Sequence, residues 1–281
     1  MTPSPAYHKA LPLDDVNSIV AGRHGYFIAN RFDEYLGLAL IRYGEYGELE
    51  WALLAQLIKP GQTVVEVGAN IGTHTISLAK AAGPAGRVVA VEPQRIIHQY
   101  LCANIALNTL ANVEAHLAGC GAEPGEMTVP PVDYFARRGQ NFGGLSLATA
   151  GPGEPVPIVR LDDIMRGRPA QLVKIDVEGM EAQVLLGARR LIETSRPLLY
   201  VENDRPDKSD ALLSLIWSMK YRTFWHIPRL FNPANFFGDS ENIYGNVASF
   251  NLLCVPAEGS LAVKGFQEIT TLGEHPLKPS A

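Results

Sequence analysis

An acid, a glycine, an asparagine and a second glycine recur at every second position in Glu66-Val67-Gly68-Ala69-Asn70-Ile71-Gly72, just after the apolar run Thr63-Val64-Val65. Gly68 and Gly72 permit positive φ and close backbone approach, and Asn70 is one of the few side chains that tolerates a left-handed conformation. The residues that follow, Thr73 to Lys80, can wind as a helix whose first N–H groups face the crevice. A second acid, Glu92, closes the run Arg87-Val88-Val89-Ala90-Val91, where a carboxylate can accept both ribose hydroxyls of a nucleoside. A dinucleotide fingerprint would put glycines where Asn70 and Thr73 stand, and no Gly-Lys-Ser/Thr follows to neutralise a triphosphate. A ligand with an adenosine and no pyrophosphate, such as S-adenosylmethionine (SAM), suits these residues better than NAD or ATP.

Further polar groups end other apolar runs. Val113–Leu117 empties into the small-residue turn Ala118-Gly119-Cys120-Gly121, which leaves room for an adenine ring. Leu172-Val173-Lys174-Ile175 leads into Asp176-Val177-Glu178, and Leu198-Leu199-Tyr200-Val201 into Glu202-Asn203-Asp204. Ligands of open α/β sheets sit outside the carboxyl ends of the strands, so these groups should share one crevice. Asp176 is the leading catalytic candidate, as proton acceptor beside a transferring methyl; its alternative role is to bind the ligand's ammonium. Glu202 is a second acid for the acceptor. His226, near a strand end, is a further candidate base because imidazole titrates near neutrality, with a structural role as the alternative. Glu178 reads as a partner of the helix N-terminus that follows it. The turn Asn141-Phe142-Gly143-Gly144-Leu145-Ser146 carries small polar groups and also reads as a plain surface loop.

The elements that must hold these residues alternate between strand and helix, the pattern of βαβ units and a parallel sheet. Residues 1–46 read as an N-terminal arm, Pro-rich to about Val20, and a hairpin of Tyr26-Phe27-Ile28 against Tyr35-Leu36-Gly37-Leu38. A helix from Glu48 to Ile58 ends at Pro60-Gly61, residues 47–260 form the catalytic domain, and 261–281 form a peripheral tail. Between the last two strands, Asn232 to Asn246 sets Phe236, Phe237 and Tyr244 among chain breakers. Loops of this length commonly act as lids, which places these rings over an acceptor or, alternatively, at the sheet edge as a plug.

The 281 residues suffice for one large core, and a net charge of −5 without a dense basic run disfavours nucleic acid as a partner. Three cysteines without Cys-x-x-Cys point to reduced thiols in a cytoplasmic protein. No apolar window approaches about 18 residues, which argues against a membrane span.

Taken together, Val67-Gly68-Ala69-Asn70-Ile71-Gly72, Val91-Glu92-Pro93, Leu161-Asp162-Asp163 and Lys174-Ile175-Asp176-Val177-Glu178-Gly179-Met180-Glu181 resemble the FkbM family of SAM-dependent methyltransferases. The resemblance runs from about Tyr43 to Val255 and includes Arg196-Pro197 and Val201-Glu202, with Glu66 where many members have Asp. It implies a class I, Rossmann-like α/β fold: a seven-stranded, mostly parallel sheet with an antiparallel last strand, here with an N-terminal extension. It also implies O-methylation of a hydroxyl on a sugar, polyketide or similar small metabolite. By resemblance and position, Glu66, Gly68, Ala69, Asn70, Gly72, Thr73, Glu92, Gly119 and Asp176 bind the cofactor, and Tyr43, Glu45 and Tyr46 cover its methionine end. Asp176 with Glu202 and Asn203 also looks like the Mg²⁺ triad of catechol-type O-methyltransferases, which could lower an acceptor's pKa. The alternatives are an NAD-dependent oxidoreductase and an inactive methyltransferase-like binding protein. Neither the acceptor nor the oligomeric state follows from the sequence.

Overall fold

The computed structural model describes residues 10–149 and 151–277. In chain order the first elements are β1 (Leu11–Pro12), β2 (Asn17–Ala21), β3 (Tyr26–Asn30), α1 (Leu36–Tyr43), α2 (Glu48–Leu57), β4 (Thr63–Val67), α3 (Thr73–Ala82), β5 (Arg87–Glu92), α4 (Arg95–Leu107) and β6 (Val113–Leu117). There follow β7 (Gly119–Cys120), β8 (Gly125–Val129), β9 (Glu154–Val159), α5 (Leu161–Met165), β10 (Leu172–Ile175), α6 (Glu181–Leu186), α7 (Arg189–Ser195) and β11 (Leu198–Glu202). The described chain closes with α8 (Pro206–Ser218), β12 (Tyr221–His226), β13 (Asn251–Pro256) and β14 (Glu268–Ile269).

The valine-rich runs become inner strands because side chains alternate between two covered faces. Val65, Val67, Val173, Ile175, Leu199 and Val201 pack under α5 to α8, while Val64, Val88, Leu172 and Tyr200 pack under α2 and α3. The sheet order is β14-β12-β13-β11-β10-β4-β5-β6, parallel from β11 to β6, with β13 antiparallel to both its neighbours. From β4 the chain builds outward through β5 and β6, then returns to β10 on β4's other side. The order therefore reverses between β4 and β10, where a crevice opens at their carboxyl ends. The mostly parallel sheet and antiparallel last strand match expectation. The strand count differs: the segment read as a peripheral tail pairs Glu268–Ile269 with Phe224 and Thr223, adding an eighth strand.

The N-terminal region also departs from the sequence reading. Tyr26–Asn30 pairs with Asn17–Ala21, and Leu36–Tyr43 is a helix rather than the second arm of a hairpin. The aromatic spacing there serves helix packing: Leu36 and Leu40 join Val20, Phe27, Ile71, Ile76 and Ile97 in one core. Residues 1–9 of the expected arm lie outside the described residues. The buried Asn104 of α4 fixes this extension to the turn after β4, accepting the Ile28 N–H at 2.7 Å and donating to the Ile71 carbonyl at 2.8 Å.

A second clasp joins the extension to the segment before β13. The buried Glu45 carboxylate accepts Arg23 Nε at 2.6 Å, Asn232 Nδ2 at 2.7 Å and the Phe236 N–H at 2.9 Å. Arg42 adds ion pairs to Asp239 and Glu241. Replacing Glu45 strands three donors, one of them charged. Glu45→Ala is expected to lower unfolding free energy by about 2 kcal/mol, read by denaturant titration; an unchanged midpoint would show that the clasp adds nothing to stability.

Candidate functional site

The crevice between β4 and β10 is a cavity of about 420 Å³. Its first wall is the turn after β4. Gly68, Asn70 and Gly72 all have positive φ, at 86°, 50° and 92°. Gly68 has a second reason to be glycine, since a Cβ there would collide with the carbonyl oxygen of Asp176. The N–H groups of Gly68 and Ala69 both donate to the Val91 carbonyl at 3.0 Å, which folds the turn over the end of β5. Gly68, Ala69, Asn70 and Thr73 line the cavity. Gly72 does not: its missing side chain leaves room for Leu101, so it shapes the turn from behind.

Glu92 is buried at the end of β5, accepting the Asn70 N–H and the Gln94 N–H, each at 2.9 Å. Burial drives its pKa up to about 7 against these bonds. Gly119 lines the same cavity, and a Cβ there would meet Ile158 at 2.6 Å. The turn Asn141 to Ser146, for which a plain surface loop was the alternative, lines the cavity through Asn141, Gly143, Gly144 and Leu145, with Leu147 beyond it. It is tied down by Phe142, whose carbonyl accepts Gln94 Nε2 at 2.9 Å and whose ring packs on Tyr134. Glycine turns, a buried carboxylate and a small-residue slot together fit an adenosine.

The floor is a group of charges that the sequence only half revealed. Glu66 and Lys174 are register partners on the face covered by α2 and α3. Lys174 Nζ donates to Asp176 Oδ2 at 2.9 Å and lies 3.9 Å from Glu50 Oε1 of α2. Burial works against its charge, but Asp176, Glu50 and Glu66 outweigh burial and hold the ammonium above its ordinary range. Burial raises Glu66 to about 7, although Lys174 and the 2.5 Å bond from Thr75 Oγ1 oppose it, and burial likewise raises Glu50 to about 7. Asp176 is different: burial would raise it, yet Lys174 and a hydrogen bond from Glu202 leave it below its ordinary value. Glu202 moves the other way, raised well above the carboxylate range by burial and by Asp176. His74 also lines the cavity, and burial, then Lys174, lowers it to about 3, so it is neutral. Lys174, Glu50 and His74 escaped the sequence reading. A lysine in the middle of an apolar strand was the available signal for the first.

Several expected residues lie elsewhere. His226 is absent from the cavity lining; its Nδ1 meets Tyr200 Oη at 2.7 Å, its ring packs on Phe266, and burial lowers its pKa to about 4. The Mg²⁺ triad of Asp176, Glu202 and Asn203 is not assembled. Asn203 is buried outside the lining, donating from Nδ2 to Ser209 Oγ at 2.9 Å. Asp204 stands at the cavity instead, its carboxylate within 4.8 Å of those of Glu178 and Glu202, and Arg205 pairs with Glu178 at 2.8 Å. Glu178 is not a helix cap partner. It adopts a left-handed φ of 55°, and Glu181 accepts the Gly179 N–H at 2.8 Å in its place. Tyr46 lines the cavity as expected, whereas Tyr43 donates to the Glu241 carbonyl and Glu45 makes the clasp described above. Phe236 and Phe237 stack over Gly44, and Tyr244 packs on Tyr35 and Tyr43, so the rings plug the junction with the extension. Leu230 and Val247 to Phe250, the flanks of that loop, form the cavity wall.

Residues 66–223 match the Methyltransferase FkbM domain. The chain belongs to the FkbM methyltransferase family. Its fold is the class I methyltransferase fold, and the family's reaction is SAM-dependent methyl transfer. No curated protein sequence matches it. Among solved structures it is similar to an FkbM methyltransferase from Methylobacillus flagellatus, at 19% identity and a TM-score of 0.46. That match covers 70% of this chain and 48% of the other, so this chain spans about half of that relative. The O-methyltransferase TomG of Streptomyces achromogenes, solved with SAM, is 16% identical over 74% of this chain and 78% of its own, with a TM-score of 0.44. TYW2 of M. jannaschii, solved with AdoMet, is 18% identical over 87% of each chain, with a TM-score of 0.44.

The raised carboxylates fix a sign for pH. Glu50, Glu66 and Glu92 bind their protons more tightly folded than unfolded, so their contribution is fully present below their unfolded pKa of 4.5 and is lost as pH rises through about 7. The ligand-free protein should melt at a lower temperature at about pH 8 than at about pH 5.5, and Glu92→Gln should remove up to about 2 kcal/mol of that difference. Scanning calorimetry at both pH values checks this; a variant with the full wild-type pH difference would contradict it.

Proposed function

We propose that this FkbM-family protein transfers a methyl group from SAM to a hydroxyl of a small uncharged or cationic metabolite, with Asp176 as the proton acceptor. The observation that carries the reading is the placement of Asp176. It is the acid at the switch point, its carbonyl lies against Gly68, and Lys174 keeps its carboxylate ionised while its side chain remains 38% exposed. Gly68, Ala69, Asn70 and Thr73 receive the methionine part, with Glu66 beneath them. Glu92 takes the ribose, and Gly119 with the Asn141–Leu147 loop encloses the base. Gly72 supports the turn.

When bound, SAM supplies an electrophilic methyl on a cationic sulfur; the acceptor oxygen forms a bond to that carbon as the carbon–sulfur bond breaks, and the hydroxyl proton must leave. Asp176 takes that proton, which is possible because it is charged before the acceptor arrives. Glu202, protonated, steadies Asp176 by its hydrogen bond. The Leu230 and Val247–Phe250 wall keeps water from the reacting groups. Asp33, Glu50, Glu66, Glu92, Asp176, Glu178, Glu202 and Asp204 all line the cavity, against the single cationic side chain of Lys174. Even with Glu202 protonated and Glu50, Glu66 and Glu92 raised to about 7, the described lining offers a phosphate no cation besides Lys174, which Asp176 already holds, and this supports a small hydroxylated acceptor over nucleic acid. Among the described lining residues the cation is Lys174, already held by Asp176, which together with family membership argues against an NAD oxidoreductase. A catalytic domain at 47–260 completed by the extension, and action in the cytoplasm, belong to the same proposal.

Calorimetry should show SAM binding and far weaker NAD binding, with Glu92→Ala weakening SAM by roughly 1.5–3 kcal/mol; tighter NAD than SAM binding would overturn the reading. Asp176→Asn, assayed at saturating SAM, should lose about a hundredfold or more of methyl transfer from labelled SAM to a hydroxylated acceptor. Full activity in that variant would remove Asp176 from the chemistry.

A further inference from the structure

Glu50 precedes the family-matched segment and belongs to none of the motifs discussed above. Its side chain, only 6% exposed as a residue, reaches from α2 to the cavity. There Oε1 has no hydrogen-bond partner, and the nearest cation, Lys174, stands at 3.9 Å. Lys174 is already committed to Asp176 at 2.9 Å. Three carboxylates, those of Glu50, Glu66 and Asp176, thus share one ammonium. A buried carboxylate without a full partner is costly to keep charged, and a cation entering the cavity lowers that cost. The methyl donor and its demethylated product share every polar group but one: the donor carries a sulfonium charge, and S-adenosylhomocysteine carries a neutral thioether.

We propose that Glu50 is a cofactor-recognition residue that, with Glu66 and Asp176 around Lys174, makes the cavity floor favour the sulfonium form of the cofactor over its thioether product. This rests on the cavity being the SAM site. Loss of the methyl group removes one positive charge from above the floor, so the same residues that hold the donor loosen on the product. Burial raises Glu50 and Glu66 to about 7, which agrees with a cluster short of one positive charge. The groups facing Glu50 are Lys174 and Asp176 at the end of β10 and Glu66 on β4, and none supplies that charge.

The test is calorimetry of the full chain with SAM, S-adenosylhomocysteine and sinefungin, an unreactive analogue with an amine at the sulfonium position. The variants are Glu50→Gln, which keeps the shape and removes the charge, and Glu50→Asp, which keeps the charge. Wild type is expected to bind SAM and sinefungin more tightly than S-adenosylhomocysteine. Glu50→Gln should weaken SAM and sinefungin about tenfold, the scale of one unit charge removed at roughly 10 Å in a protein interior. S-adenosylhomocysteine should change less than threefold, and Glu50→Asp should restore part of the difference. Equal losses for all three ligands, or none, would overturn the proposal, as would a wild type that prefers the thioether even if Glu50→Gln fails to fold. A wild type that binds none of the three would overturn the SAM-site reading itself.

Discussion

A single buried ammonium, that of Lys174, sets the electrostatic state of the cavity. It sits where β10 runs beside β4, the two central strands from which the sheet is built in opposite directions. Asp176 is held ionised by it, while Glu50 and Glu66, farther from it or poorly oriented toward it, are pushed to about 7. One cation among three acids cannot satisfy all of them equally, and geometry decides the order. Asp176 has the short bond at 2.9 Å, and Glu50 has 3.9 Å with no hydrogen bond. A chemically uniform set of carboxylates is thereby divided into one charged group and several that are balanced between states, the separation an acid–base site requires.

The backbone enforces the same arrangement. Asp176 donates its N–H to the Val67 carbonyl at 3.0 Å and presses its own carbonyl on Gly68, so the end of β10 and the turn after β4 are locked together. The turn after β4 and the proposed base cannot move independently. That coupling explains why one glycine must satisfy two demands, a positive φ and the absence of a side chain. It also explains why the supports behind the turn matter: Leu101 under Gly72 and Asn104 on the Ile71 carbonyl transmit the packing of α4 and of the N-terminal extension to the site.

The parts of this design that were legible in the sequence are those with a local signature. Val64 to Gly72 announces a strand, a turn and a helix through β-branched residues and glycines, and the strand-end acids Glu92, Asp176 and Glu202 fall in the crevice because parallel topology sends every carboxyl end to one side. What was not legible depends on long-range packing. Tyr35-Leu36-Gly37-Leu38 looked like strand because aromatics favour sheets, yet the tertiary core formed with Ile71 and Ile76 selected a helix. His226 sits near a strand end like the others. Its ring, however, is held by Tyr200 and Phe266 outside the cavity. Asn203 was paired with Glu202 by likeness to the catechol-type Mg²⁺ triad, whereas here neighbouring residues of an extended chain point to opposite sides. The acid that reaches the cavity is accordingly Asp204, one residue further on.

Glu50 shows the limit of reading motifs. Nothing in Glu48-Leu49-Glu50-Trp51 distinguishes the second glutamate from a solvent-facing helical charge, and an acid in the first turn of a helix has a sufficient reason to be there. Only the placement of α2 over the β4–β10 face turns it inward toward Lys174, and only the count of charges around that lysine makes it informative. The family-matched segment from 66 to 223 contains the turn, Glu92 and the proposed base. The groups that complete the cavity, Tyr46 and Glu50 before that segment and Leu230 and Val247 to Phe250 after it, come from its flanks. A family resemblance therefore reaches as far as the chemistry shared by its members, whereas the floor and the wall of Leu230 and Val247 to Phe250 have to be read from the packing of this chain.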